Sequence, residues 1–182
     1  MHLFAGAGGG ILADVLLGHR IIGAVEWEAY PCTVLQERIS DGSLEPFPIF
    51  NMDIRDFNRR IAPRFRGVAD IVAGGFPCPA VSVAGKREGA ASENWLWEPT
   101  AESLRIIRPR WAYLENVPGL LSIDSGRLYG RVLRDLAALG YGHIRYGVLS
   151  AADVGAPHKR DRLWIWAENV ADSEDSDWRR TA

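Results

Sequence analysis

The sequence predicts an α/β domain, a mostly parallel sheet with helices on both faces and an antiparallel pair of strands at one edge. Short apolar runs alternate with stretches of helical period. Glycines or carboxylates stand where several of those runs end. The last two runs, Ile144 to Leu149 and Leu163 to Ala167, read as the antiparallel pair.

Each element has its own justification. Leu3-Phe4 ends a short first strand, and Gly6, Gly8, Gly9 and Gly10 form the turn after it. Ile11, Leu12, Val15 and Leu16 recur at helical spacing until Gly18 stops the helix. Ile21 to Val25 is a second strand ending at Glu26, and a helix follows from about Tyr30 to Ile39 with Pro31 tolerated in its first turn. Pro48 to Phe50 makes a weak third strand before Asp53, and Val68 to Ala73 a fourth that runs into Gly74-Gly75. From Phe76 to about Glu93 the chain is rich in Gly, Ala and Ser without period, which reads as a long active-site loop. Pro99 opens a helix carrying Ala101, Leu104 and Ile107, and Trp111 to Leu114 is a fifth strand ending at Glu115. Leu128, Val132, Leu133, Leu136 and Leu139 mark a helix closed by Gly140. From Glu168 onward the residues are polar and aperiodic, a tail or the start of a further region.

Composition narrows the class. With 182 residues, 47% hydrophobic and 24% charged, the chain fits one ordinary globular domain. No apolar run approaches the ~20 residues that span a bilayer, and Met1 opens no signal peptide. Two cysteines without ligand spacing argue against a disulfide framework and a zinc site, so a reducing, intracellular setting is expected. A net charge of −2 gives no global pull toward nucleic acid. Local basic clusters stand at Lys86-Arg87, at Arg105, Arg108 and Arg110, and at His158 to Arg162; solvated surface charge explains such runs equally well.

Two groups of residues carry chemistry. In the first, Gly6, Gly8 and Gly9 occupy a strand-to-helix turn where backbone can approach a ligand, and Glu26 follows 20 residues after Gly6, placed to accept hydrogen bonds from ribose hydroxyls. Ile11 stands where a dinucleotide fingerprint has its third glycine, so a nicotinamide or flavin fits poorly. Glu26-Trp27 and Asp53-Ile54 suit S-adenosylmethionine better: Trp27 stacks on the adenine or is core, and Asp53 accepts from the exocyclic amine. The second group centres on Cys78, held between Pro77 and Pro79 after a buried strand. A stiff loop at the carboxyl edge of the sheet is where such a thiol acts as a nucleophile. Cys32, on a helix, is an ordinary structural cysteine. Glu115, in Glu115-Asn116-Val117-Pro118, lies beside Cys78 if the fourth and fifth strands are neighbours. Arg160 and Arg162, two apart on extended chain, point to the same side and bind a polar substrate edge, a phosphate, or only solvent.

These blocks, in this order, resemble the DNA (cytosine-5)-methyltransferases, from Leu3 to Ala167. The wording at Val81 to Lys86 is similar to phage or prophage members. The resemblance implies a Rossmann-like S-adenosylmethionine-dependent methyltransferase fold, double-stranded DNA as partner, and a cytosine flipped from the duplex. It implies that Cys78 adds to C6, Glu115 acts at N3, Arg162 holds O2 and Arg160 supports the loop and phosphates. Phe4 and Trp27 then flank the adenine, Pro77 borders the cofactor, and Ser82, Lys86 and Arg87 lie on a loop that closes over DNA. His2 stands where the family has an acid, Pro79 where it has Gln, and His158 where Gln is common. The family continues into a target-recognition region and closing motifs, so residues 1–167 are expected to form the catalytic domain and 168–182 a polar tail or the start of that region. A complementing C-terminal fragment is then a possible partner, and restriction-modification in the cytoplasm of a bacterial or phage-infected cell the setting. Two other readings stay open: a truncated, inactive cofactor-binding or regulatory module, and a nicotinamide oxidoreductase with a thiol intermediate.

Overall fold

In the computed structural model, which describes residues 1–78 and 95–170, the chain winds outward from its first strand in two directions. β1 (His2–Leu3) pairs in parallel with β2 (Ala24–Glu26), and β2 with β3 (Ile49–Asn51). On its other side β1 pairs with β4 (Ile71–Gly75), and β4 with β5 (Trp111–Asn116), again in parallel. β6 (Tyr141–Ser150) and β7 (Asp161–Asn169) complete the order β3-β2-β1-β4-β5-β7-β6. β7 runs antiparallel to both β5 and β6, so the expected pair sits at the expected edge.

The register sorts side chains onto two faces, because residues opposite one another in neighbouring strands point the same way. Leu3, Val25, Val72, Ala112, Leu114, Leu163, Ile165 and Ala167 share one face. Helices α3 (Ile54–Arg60), α4 (Trp97–Ile107) and α5 (Arg127–Ala138) cover it, burying Phe57, Trp97, Leu104, Ile107, Val132 and Leu136 in one core. Each such side chain contributes about 1.5–3 kcal/mol when fully buried. On the opposite face α1 (Gly9–Leu16) and α2 (Ala29–Ser40) pack Ile11 and Leu35 against Ala24 and Phe47 in a smaller cluster.

Element boundaries differ from expectation where tertiary context overrides local pattern. β2 begins at Ala24, not Ile21, because the paired partners of β1 and β3 extend only that far. β4 begins at Ile71 and takes in Gly74 and Gly75, while Val68 is exposed in the preceding turn. α4 opens at Trp97, two residues before Pro99. α3 was not expected; Asp53 caps it, its carboxylate accepting from the Arg55 backbone N–H at 2.7 Å. β7 runs past Ala167 and buries Glu168 and Asn169, whose polarity misleads because both have partners. Glu168 meets Arg110 and His143 at 3.3 Å each, and the Asn169 amide donates to the Leu139 carbonyl at 3.5 Å.

Candidate active site

The parallel pairing of β4 with β5 sets Gly75 opposite Glu115, at the edge from which the chain continues to Cys78. The antiparallel β7 starts where β5 ends, which delivers Arg162 to the same place. Its Nε lies 2.5 Å from Glu115 Oε1, with both side chains largely sheltered. A carboxylate fixed by a guanidinium at a sheet edge is oriented for one ligand-facing direction. Gly75 makes room for it: a Cβ there would stand 2.5 Å from Glu115 Oε2. Cys78 is half-buried at the margin of the main core.

Asn116, which the sequence offers only as the neighbour of Glu115, has a positioning part of its own. Buried on β5, it donates from Nδ2 to the Phe76 carbonyl at 2.9 Å and accepts from the Val117 backbone N–H at 2.9 Å. It thereby ties the strand bearing Glu115 to the segment leading into Cys78. The signal was there, since Asn116 occupies the parity of Ala112 and Leu114, where a polar side chain must find internal partners.

At the β1–β3 end the glycine turn has the expected backbone. Gly6 and Gly8 have φ of +52° and +94°, and nothing would meet a side chain at Gly6 or Gly9. Gly8 has a second duty, because a Cβ there would stand 2.7 Å from Leu35 Cδ2 and push α2 away. Glu26 grips the turn: Oε2 accepts from the Gly6 N–H at 2.7 Å and Oε1 from the Glu28 N–H at 2.9 Å. Asn51, not foreseen from the sequence, donates to the carbonyls of Glu26 and Trp27 at 3.1 and 2.9 Å. Trp27 is 69% exposed, which overturns its reading as core. Phe4 is partly buried with φ of +53°, and Ile54 is buried in the core.

His2, at the position where the resemblance expects an acid, meets a carboxylate of α1 instead. His2 Nε2 lies 2.8 Å from Asp14 Oδ2, and Asp14 Oδ1 lies 3.0 Å from His19 Nδ1. Burial pushes the His2 pKa below its ordinary value of 6.5. Cys32 donates to the Glu26 carbonyl, and burial raises its thiol pKa, in keeping with a structural role.

Arg160 is exposed just outside β7 and has no carboxylate partner among the described residues, so it does not join Arg162 at Glu115. Pro77 is exposed before Cys78, and its carbonyl accepts from the Leu96 N–H at 3.4 Å. Pro79, Ser82, Lys86 and Arg87 lie outside the described residues. Among the described residues no His, Cys, Asp and Glu cluster could hold a metal ion, and no helix is long and apolar enough to cross a membrane.

A family model described as C-5 cytosine-specific DNA methylase matches residues 1–176. The type II methyltransferase M.Eco47II of Escherichia coli is 32% identical over 181 residues, which are 98% of this chain and 42% of that protein. M.HpaII of Haemophilus parainfluenzae is 33% identical over 165 residues, 90% of this chain and 44% of its own length. Among solved structures, one described as a DNA modification methyltransferase encoded within an E. coli prophage has a TM-score of 0.72 at 20% identity, over 98% of this chain and 48% of that one. A Spodoptera frugiperda DNMT2 mutant has the same TM-score at 17% identity, over 97% and 51%. The chain thus spans about half the length of the curated relatives it matches. The methyl donor of this family is S-adenosylmethionine, and the residues at the β1–β3 edge fit it: open space at Gly6 and Gly9, the Glu26 carboxylate, an exposed Trp27 and the Asp53 carboxylate. Sequence match and strand order agree, and the chain belongs to the C-5 cytosine-specific DNA methylase family.

Proposed function

We propose that the protein methylates C5 of a cytosine in double-stranded DNA through a transient bond between Cys78 and C6 of the base. The observation that carries this reading is the Arg162–Glu115 pair at the sheet edge that leads, through Gly75, into Cys78. Cys78, as its thiolate, adds to C6 of a cytosine drawn out of the duplex. The C5–C6 electron pair moves toward N3, where Glu115 supplies a proton and Arg162 holds O2. S-adenosylmethionine, when bound there, would supply the electrophilic methyl carbon to which C5 bonds as the sulfonium S–CH3 bond breaks to an uncharged thioether. A base then removes the C5 proton, Glu115 takes back its own, and the returning electron pair expels Cys78.

Glu26 holds the ribose hydroxyls while Phe4 and Trp27 flank the adenine. Asp53 accepts from the exocyclic amine, with Gly6, Gly8, Gly9, Ile54 and Pro77 lining the rest. Arg160 supports the loop and phosphates, and Ser82, Lys86 and Arg87 close over DNA. The catalytic domain, expected over residues 1–167, takes in the whole of β7 to Asn169, and the chain after it is a tail or the start of a target-recognition region.

The share of its relatives that the chain spans favours a second reading, a module that binds the cofactor without turnover. Duplex DNA and labelled cofactor separate the two, with and without a complementing C-terminal half. Methyl incorporation at cytosine supports the first reading; cofactor binding without incorporation in either mixture supports the second. Cys78→Ala should abolish incorporation and leave cofactor affinity, read by calorimetry, within about twofold. Loss of affinity instead would make Cys78 structural.

A further inference from the structure

On the face of the sheet that carries Glu115 and Arg162, β5 and β7 meet along one diagonal. The register sets Trp111 opposite Glu168, Tyr113 opposite Trp166 and Glu115 opposite Trp164. The contacts run instead to the β7 residue two places nearer the start of that strand. Trp111 stacks on Trp166 with ring centroids 4.8 Å apart, Tyr113 meets Trp164 at 5.7 Å, and Arg162 Nε reaches Glu115 Oε1 at 2.5 Å. All three pairs lean the same way, because the right-handed twist of an antiparallel ladder brings one of its two diagonals closer. The ion pair is the last of the series, and two aromatic pairs precede it.

Glu115 is confined on both flanks. Towards β4 stands Gly75, where a Cβ would lie 2.5 Å from Oε2. Towards β7 stands Trp164, directly opposite, and the Cβ atoms of such pairs are ~4.5–5.5 Å apart. Trp164 itself has room to move. Its other neighbour in the ladder, on β6, is Gly147, where an added Cβ would meet nothing within 4 Å. Among the described residues, Tyr113 makes the one ring contact that Trp164 has. An indole upright over Glu115 would fill the space through which Arg162 crosses to the carboxylate; leaning toward Tyr113, it leaves that space open. Arg162 commits Nε to Glu115 and Nη1 to the Asp161 carbonyl at 2.9 Å, so the seating of Nε decides where Nη2 points.

We propose that Tyr113 is a positioning residue for the Glu115–Arg162 pair: its ring draws the Trp164 indole along the diagonal and keeps the guanidinium's path to the carboxylate open. Its bearing on the reaction rests on the part given above to Glu115 and Arg162 in methyl transfer; the geometry does not. Tyr113 is 44% exposed, on the face away from the main core, so its ring adds little to core packing. The ring contact carries the effect and the hydroxyl takes no part, so phenylalanine serves as well.

The test reads the Arg162 Nε–H proton directly, in proton–nitrogen correlation spectra of residues 1–182, its signal identified by loss in Arg162→Lys. Tyr113→Thr keeps strand propensity and removes the ring. In this variant the proton should exchange with water at least about tenfold faster than in wild type, and Tyr113→Phe should keep it protected. Combining Tyr113→Thr with Trp164→Val, which takes away the indole as well, should recover the protection. Trp111→Leu, two residues earlier on β5, controls for general loosening of the ladder and should leave the proton protected. Unchanged exchange in Tyr113→Thr, loss in Tyr113→Phe, persistent loss in the double variant, or equal loss in Trp111→Leu each overturns the proposal. In whichever mixture incorporates methyl groups, Tyr113→Thr should lower kcat about tenfold or more and leave KM for the cofactor within about twofold; an unchanged kcat overturns the proposal equally. A wild-type chain that incorporates none refutes the methyl-transfer reading alone, because the spectra need neither DNA nor turnover.

Discussion

Two adjacent glycines of β4 should respond to the same added methyl in opposite ways. At Gly75 an alanine Cβ would stand 2.5 Å from Glu115 Oε2, about 1 Å inside ordinary contact. The obstacle is the end of a flexible side chain, so the carboxylate swings away by about that distance and leaves Arg162 Nε. The ion pair is worth at most about 1 kcal/mol at a partly exposed edge, which limits the loss in Tm to about 2–4 °C. A displacement of about 1 Å in a reacting group costs on the order of 10²-fold in rate, equivalent to about 2.7 kcal/mol. At Gly74 the Cβ would instead stand 2.6 Å from the Leu3 carbonyl oxygen, a backbone atom that can yield only if β1 and β4 part. Overpacking of this kind costs about 1–3 kcal/mol, a fall in Tm of roughly 3–10 °C. Thermal melts and initial rates of methyl incorporation, run on both variants in the assay described above, read the two effects separately. Wild-type rates for Gly75→Ala, or a fall in Tm equal to that of Gly74→Ala, would refute the idea that this glycine exists to seat the carboxylate.

Asn116→Ala removes two buried hydrogen bonds and strands the Phe76 carbonyl; a stability loss of about 2–4 kcal/mol by denaturant titration is expected, with Asn116→Asp failing to restore the donated bond. Among the described residues the buried Tyr129 hydroxyl has no partner, and burial, reinforced by Tyr146, pushes its pKa up to about 12. Tyr129→Phe should therefore raise Tm by about 2–4 °C, and a lowered Tm would show that the hydroxyl has a partner in solution. His2 has its pKa lowered, first by burial and then by the neighbouring terminal amine, against the pull of Asp14. The unfolded chain takes up the proton first, so the stability owed to neutral His2 is complete above pH 6.5 and declines as pH falls through and below that value. Melts of His2→Gln against wild type between about pH 7.5 and about pH 5 should show a shallower acid decline in the variant; parallel curves would contradict it.

Much of this arrangement was legible in the residues themselves. Alternating apolar runs mark β5, β6 and β7, and the helical period of Leu128 to Leu139 marks α5 to within a residue or two. The adjacency of β4 and β5, on which the approach of Glu115 to the Cys78 segment depends, holds in the structure. What escaped was mostly polar and tertiary. α3 is a short helix whose start is set by the Asp53 cap and whose apolar residues, Ile54 and Phe57, show too few turns to display a period. Glu168 and Asn169 look like the onset of a tail because their partners, Arg110, His143 and the Leu139 carbonyl, are 25 or more residues away. Glu26 reads as a ribose ligand from its spacing alone, yet its carboxylate also clasps two backbone N–H groups of this chain, a duty no spacing rule announces.

The reversed direction of β7 has a consequence for how any longer polypeptide is routed. Its first residues lie at the catalytic edge, where Arg162 meets Glu115, and its nine residues carry the chain about 25–30 Å away at ~3.4 Å each. Asn169 docks on the Arg110 carbonyl, at the entrance rather than the exit of β5. Whatever is joined after Val170 therefore sets out from the far rim of the sheet. A segment returning from that rim to the edge of Glu115 has the full length of a strand to cover, whereas the turn between β6 and β7 opens directly onto that edge.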